Sequence, residues 1–338
     1  MSSTIKDVAI YAGVSPTTVS RVINQKGYVS EEVRQKVMDA IKVLEYTPNL
    51  IAVSLTQKRM PTIGVIVPDI CNSFFNEVFY EASKVAESHN YRVILYNTDD
   101  SVKMETAALQ DMISYRVSGI IMTPVSDKDA TNSDLLNSLK GMGIPVVFVD
   151  REMQGVDCDG VFVDNIRGAY DATTLLLRAG HRRIAVIAGP EDTIPGRERV
   201  IGYKNAFQDW GLELKPEYVI NADFKMDKSF RATTGLLELK EPPTAFFACN
   251  NRMTLGCING IISSGRRIPQ DVALVGFDDI ELLDILGMRL STVSRATGEM
   301  GAVAMRLLLE HLSENDARSY QKIVLQTHLK VCGSEVMP

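Results

Sequence analysis

Two rhythms of apolar residues divide the chain. Up to Leu44 they recur every three or four residues in short bursts; from Thr62 onward, runs rich in Val and Ile alternate with longer amphipathic stretches. The first burst sets Ile5, Val8 and Ala9 on one helical face, with Thr4 able to cap its free amides and Gly13 suited to a left-handed terminus. Ser15-Pro16 starts a second helix over 16–24, since serine accepts from unpaired amides and proline at the first turn loses nothing by lacking an N–H. That helix buries Val19, Val22 and Ile23 and exposes Thr17, Thr18, Ser20 and Arg21. Ser30 opens a third, with Glu31 and Glu32 at its positive end and Val33, Val37, Ile41 and Leu44 at helical spacing. Two short helices joined by a glycine-containing turn predict a helix-turn-helix unit, whose second helix enters the DNA major groove.

Beyond residue 61 the pattern changes to apolar runs over 62–67, 91–96, 119–123, 145–149, 160–163, 184–187, 218–220, 245–248 and 272–275, separated by helical sequence such as 73–89 and 103–114. Continuous Val/Ile runs flanked by helices mark buried parallel strands in a doubly wound α/β fold. The 338 residues suit two or three domains. Five scattered cysteines and four isolated histidines form no metal-ligand spacing and point to reduced thiols in the cytoplasm. The polar N-terminus predicts no secretion signal, and no run reaches the length of a membrane span. The net charge of −6 argues at first against a nucleic-acid partner, but its distribution reverses that. Residues 1–60 carry eight Lys/Arg against five acids, so a head of +3 precedes a body of −9. With no G-x-S-x-G turn, P-loop or dinucleotide fingerprint, no enzyme and no cofactor is expected.

The head carries T-I-K-D-V-A from Thr4, A-G-V-S-x-x-T-V-S-R-V-I-N from Ala12, Y-x-P-N from Tyr46 and A-x-S-L from Ala52. In these motifs the chain resembles the LacI/GalR repressor family, over essentially all of its length. The resemblance implies operator contacts at Thr4, Ser15, Pro16, Thr17, Thr18, Ser20, Arg21, Asn24, Tyr46, Asn49, Ala52 and Leu55. Thr17, Arg21 and Thr18 would read bases, Asn24 and Tyr46 would support backbone contacts, and Leu55 would wedge the minor groove. The chain departs from the family pattern at Val53, where arginine is common, and at Pro16, where a base-reading side chain is common.

The implied organisation is a helix-turn-helix domain at 1–48, a hinge helix and linker at 49–60, and a core at 61–338 like the periplasmic sugar-binding proteins. That core would comprise an N-subdomain at about 61–162 and 292–322 and a C-subdomain at about 163–291 and 323–338. Ligands of such sheets lie beyond the strands' carboxyl ends. There the resemblance implies effector contacts at Asn72, Phe74, Phe75, Asp150, Arg199, Phe224, Asn250 and Asp278, at Arg151 by likeness to pentose binders, and at the neighbouring Arg197. Arg295 stands where neutral-sugar binders often have glutamine; beside Arg151 and Arg199 it predicts a cationic cleft, suited to a sugar acid or sugar phosphate as much as to a neutral sugar. The expected function is a repressor that binds a palindromic operator as a homodimer and is released by that effector. The alternative is a catabolite-control-type regulator activated by a phosphorylated carrier protein or a phosphorylated sugar. It rests on Gly301-Ala-Val-Ala-Met-Arg306, which resembles the docking helix of those proteins, although the apolar spacing of a core-facing helix already explains it and is the favoured reading.

Overall fold

The computed structural model describes residues 3–23, 27–46, 61–313 and 319–336. The chain divides into two units, Met1–Met60 and Pro61–Pro338.

The first unit contains helices α1 (Ile5–Ala12), α2 (Pro16–Ile23) and α3 (Glu31–Val43). Thr4 caps α1 through a reciprocal box with Asp7, and Gly13 ends it in the left-handed conformation at φ 66°. The Ser15 hydroxyl accepts from the Thr18 amide at 3.1 Å, as its position before Pro16 requires. Val8, Ala9, Val19, Val22, Val37 and Ala40 form the core. Ile23, Ile41 and Leu44 are only half-buried around it.

In the second unit the chain first lays down β1 (Thr62–Val67), α4 (Ser73–Ser88), β2 (Arg92–Asn97), α5 (Val102–Ser114), β3 (Gly119–Met122), α6 (Ala130–Gly141), β4 (Val146–Val149) and β5 (Asp159–Val163). It then builds α7 (Asn165–Arg178), β6 (Ile184–Ala188), α8 (Ile194–Asp209), β7 (Val219–Asn221), α9 (Met226–Leu237), β8 (Ala245–Ala248), α10 (Asn251–Ser263), β9 (Ala273–Phe277), α11 (Glu281–Ile285) and β10 (Ser291–Arg295). It closes with α12 (Thr297–Ser313), β11 (Lys322–Leu325) and β12 (Thr327–Lys330).

The strands form two six-stranded sheets of the same winding, β2-β1-β3-β4-β5-β11 and β7-β6-β8-β9-β10-β12. Every neighbouring pair is parallel except β10 with β12. Parallel central strands need cover on both faces, which explains their unbroken apolar runs. In the first sheet, α4 and α12 close one face over Val65, Val147 and Val161, while α5 and α6 close the other over Ile66, Ile120 and Val146. The second sheet is enclosed in one core from Ala169 to Val293.

The chain passes between the sheets at Asp164, Ala296 and Gln326. The expected passages near 291 and 322 therefore shift a few residues later. β10 pairs with β9 through Ser291–Val293 and stays in the second sheet, and β11 pairs with β5 before the chain leaves the first. α12 follows β10 in sequence yet packs on α4 of the first sheet, where Gly301 permits close approach: a Cβ there would lie 2.1 Å from the Val78 carbonyl oxygen.

Candidate functional site

On α2 of the head, Pro16, Thr17 and Arg21 are exposed, whereas Thr18 and Ser20 are half-buried. Val19 and Val22, on the opposite face, are anchored in the core. Thr4 is exposed but committed to the Asp7 capping box, and Tyr46 packs half-buried against the head's own core. Asn24, Asn49, Ala52 and Leu55, together with the expected hinge at 49–60, lie outside the described residues.

The body presents a cleft between its two sheets, at the carboxyl ends of their strands. Ten of the eleven side chains expected to hold an effector line it: Asn72, Phe74, Phe75, Asp150, Arg151, Arg199, Phe224, Asn250, Asp278 and Arg295. Asp69, Asp100 and Pro195 complete the lining. Backbone geometry aims several of these groups. Asp100, Asp150, Phe224 and Asp278 all occupy positive φ, at 54°, 66°, 57° and 73°, a conformation non-glycine residues rarely adopt and one that concentrates at binding sites. Asn72 and Asn250 cap α4 and α10 with their side-chain oxygens, accepting from the Phe74 and Met253 amides. Those two capped helix starts therefore face the cleft from opposite sides.

Arg295 occupies the centre. Its Nη1 donates to Asp150 Oδ1 and its Nε to Asp278 Oδ1, both at 2.6 Å, and its guanidinium lies 3.7 Å from the Phe74 ring centroid. Burial opposes its charge, but Asp278 and Asp150 hold its proton more firmly than in a free arginine. Arg199 is 2 % exposed. It donates to Asn165 Oδ1 and the Cys249 carbonyl and stacks 3.7 Å from the Phe277 centroid. Burial, and then Arg295, lower its pKa to about 10, which still leaves it charged at neutral pH. Arg151 donates through Nη1 to the Pro124 and Val125 carbonyls, each at 3.3 Å, and faces Asp100 at 3.7 Å. Its Nε, like Asp278 Oδ2, is buried without a hydrogen-bond partner.

This geometry corrects two expectations. The cleft is not cationic: four aspartates face three arginines in the lining, and Arg295 is neutralised by two of them. Arg197 is not in the lining at all; it leaves through the rim to bind Asp127, which is 3 % exposed, and the Glu191 carbonyl. Since α8 carries Arg197 and Asp127 follows β3, the pair ties the two subdomains together, as Lys225 does with Asp100 at 2.6 Å. Asp100, Asp127 and Lys225 were not among the expected site residues. The two aspartates follow strands β2 and β3, and the strand-end rule applied there also would have found them.

Beneath this loop Glu105 of α5 is fully buried, accepting from the Val125 amide and Asn132 Nδ2, each at 2.7 Å. Glu105 thus underpins the carbonyls that hold Arg151. Burial pushes its pKa from 4.5 up to about 7, against the opposing pull of those hydrogen bonds. The folded state therefore keeps a proton that the unfolded chain releases near pH 4.5. The resulting stability is complete below that pH and is lost as pH rises through 7, about 3 kcal/mol in all. Glu105→Gln carries no such charge, so its stability relative to the wild type is expected to rise between pH 5 and pH 8 in urea unfolding. Parallel pH profiles would remove Glu105 from this role.

Residues 60–327 match the family described as periplasmic binding proteins and sugar binding domain of LacI family. Residues 4–49 match the family described as bacterial regulatory proteins, lacI family. The chain is 34% identical over 318 residues to the HTH-type transcriptional regulator RegA of Clostridium saccharobutylicum, covering 94% of each. It is 34% identical over 320 residues to catabolite control protein A of Priestia megaterium, covering 94% of this chain and 95% of the relative. Among solved structures it is similar to the Lac repressor dimer bound to operator and the anti-inducer ONPF, with a TM-score of 0.85, 25% identity, and coverage of 99% of this chain and 100% of that one.

Proposed function

We propose, since the chain belongs to the LacI family of bacterial regulatory proteins, that this DNA-binding transcriptional regulator grips a two-fold symmetric operator as a dimer and is released by a small neutral sugar held in the cleft. One head reads one half-site, so symmetric recognition needs two copies. A second copy is supported by apolar side chains left in solvent around α11: Ile285 is 73 % exposed and Leu286 70 %. On α2 the exposed Thr17 and Arg21 suit base edges, with arginine matching guanine bidentately.

The observation that carries the effector class is the pair of buried, unbonded atoms in the lining. Arg151 Nε offers a donor and Asp278 Oδ2 an acceptor. A hydroxyl is both donor and acceptor, so a polyol satisfies both where a carboxylate or phosphate serves only the first. Phe74, Phe75 and Phe224 add apolar faces for the C–H surfaces of a sugar ring. A ligand anion would meet four carboxylates, with Arg295 already held by two of them.

Activation by a phosphorylated carrier on α12 has less support, because Gly301, Ala304, Met305 and Leu308 face the core there. Selection of duplexes from a random pool should enrich a two-fold symmetric sequence. Arg21→Ala should weaken that complex about tenfold or more in fluorescence anisotropy, with sugar binding unchanged. Enrichment of no symmetric sequence, or equal affinity of the variant, contradicts the reading.

A further inference from the structure

We infer that Arg295 is a built-in occupant of the effector site, a tethered guanidinium that bridges the two subdomains between Asp150 and Asp278 and with which an incoming sugar must compete for those carboxylates. The inference rests on reading the cleft as the effector site. Asp150 follows β4 of the first sheet and Asp278 follows β9 of the second, so the two 2.6 Å bonds from one side chain span the cleft. The side chain is 3 % exposed and lies flat on Phe74, the kind of apolar face a sugar ring would use. Both bonded oxygens are carboxylate Oδ1 acceptors, to which the hydroxyls of a vicinal diol would otherwise donate.

Two consequences follow from a forked donor held between two acids. The bridge favours approach of the subdomains, adding to the Arg197–Asp127 and Lys225–Asp100 pairs at the rim. It also makes the side chain at 295 a determinant of selectivity, because a sugar engaging both carboxylates must first displace the guanidinium. A shorter neutral side chain frees both acids for hydroxyls.

The test uses the full chain with Arg295→Ala, which removes the guanidinium and leaves its two acceptors. The variant should melt roughly 5 °C or more below the wild type, as a broken buried ion pair requires, and show a larger radius of gyration in small-angle scattering. Millimolar methylguanidinium should restore both properties saturably, whereas methylammonium, of equal charge but without the fork, should not. Arg295→Gln, the milder change, should bind D-ribose about tenfold more tightly than the wild type by calorimetry. If Arg295→Ala does not fold, methylguanidinium present during refolding should recover it. Wild-type melting in Arg295→Ala, or rescue by neither cation, overturns the bridge. Unchanged or weaker ribose affinity in Arg295→Gln overturns the competition. Should no sugar bind either protein while guanidinium rescue succeeds, the effector assignment fails and the bridge stands.

Discussion

Asp278→Ala is expected to lower effector affinity by at least a hundredfold and to destabilise the body by about 3–5 kcal/mol. The carboxylate holds Arg295 Nε at 2.6 Å and helps keep the buried Arg199 charged. Its other oxygen is the acceptor left unbonded in the lining. Removing it takes away one of the two carboxylates that hold Arg295 and leaves the guanidinium paired only with Asp150. The backbone at φ 73° gains nothing from alanine, which tolerates a positive φ less well than aspartate does. The two losses separate experimentally: calorimetry reads the effector and urea unfolding reads the body. An affinity within a few fold of the wild type would mean that the cleft is not where the effector binds.

Gly301→Val should produce the second large effect, this time on folding. The α4–α12 contact is the seam that returns the chain to the first sheet after β10, and at Gly301 it is made backbone to backbone. A valine Cβ would lie 2.1 Å from Val78 O and 2.9 Å from the Val78 carbonyl carbon, atoms that cannot rotate away. Either α12 moves outward, exposing Met305 and Leu308, or α4 shifts along with Phe74 and Phe75 at its start. The expected cost is about 3 kcal/mol or more, the upper range for overpacking. Because Phe74 and Phe75 line the cleft, their displacement should weaken effector binding as well. A variant as stable as the wild type would show that the two helices do not meet as described.

Much of this was legible in the sequence because local signals and tertiary roles agreed. Thr4, Gly13 and Ser15-Pro16 are capping devices that act within a few residues, so the head's first two helices could be placed from them alone. The unbroken Val/Ile runs reported strands covered on both faces. The later strands were less visible: Lys322–Leu325 and Thr327–Lys330 mix half-buried and exposed positions at sheet edges, so they show no continuous apolar run. The cleft residues were found because ligands lie at strand ends and because the family resemblance selected among them. Their net charge was not foreseeable. Arg295 meets Asp278 from 17 positions away within one sheet, and Asp150 from 145, a pairing that depends on two subdomains facing each other. Arg197 illustrates the same limit, since it stands two residues from the cleft residues Pro195 and Arg199 yet is drawn to the rim by Asp127, 70 positions distant.

The most direct test of the central claim, a cleft built for a neutral polyol that governs the grip on DNA, is a thermal-shift series on the wild type and Asp278→Ala with neutral pentoses and hexoses, aldonates and sugar phosphates. A ligand of the native cleft raises the melting temperature with its concentration, and the same ligand should lower operator anisotropy at fixed salt. At least one neutral sugar is predicted to do both in the wild type and neither in the variant. A response confined to charged sugars, or one that Asp278→Ala retains in full, would contradict the account.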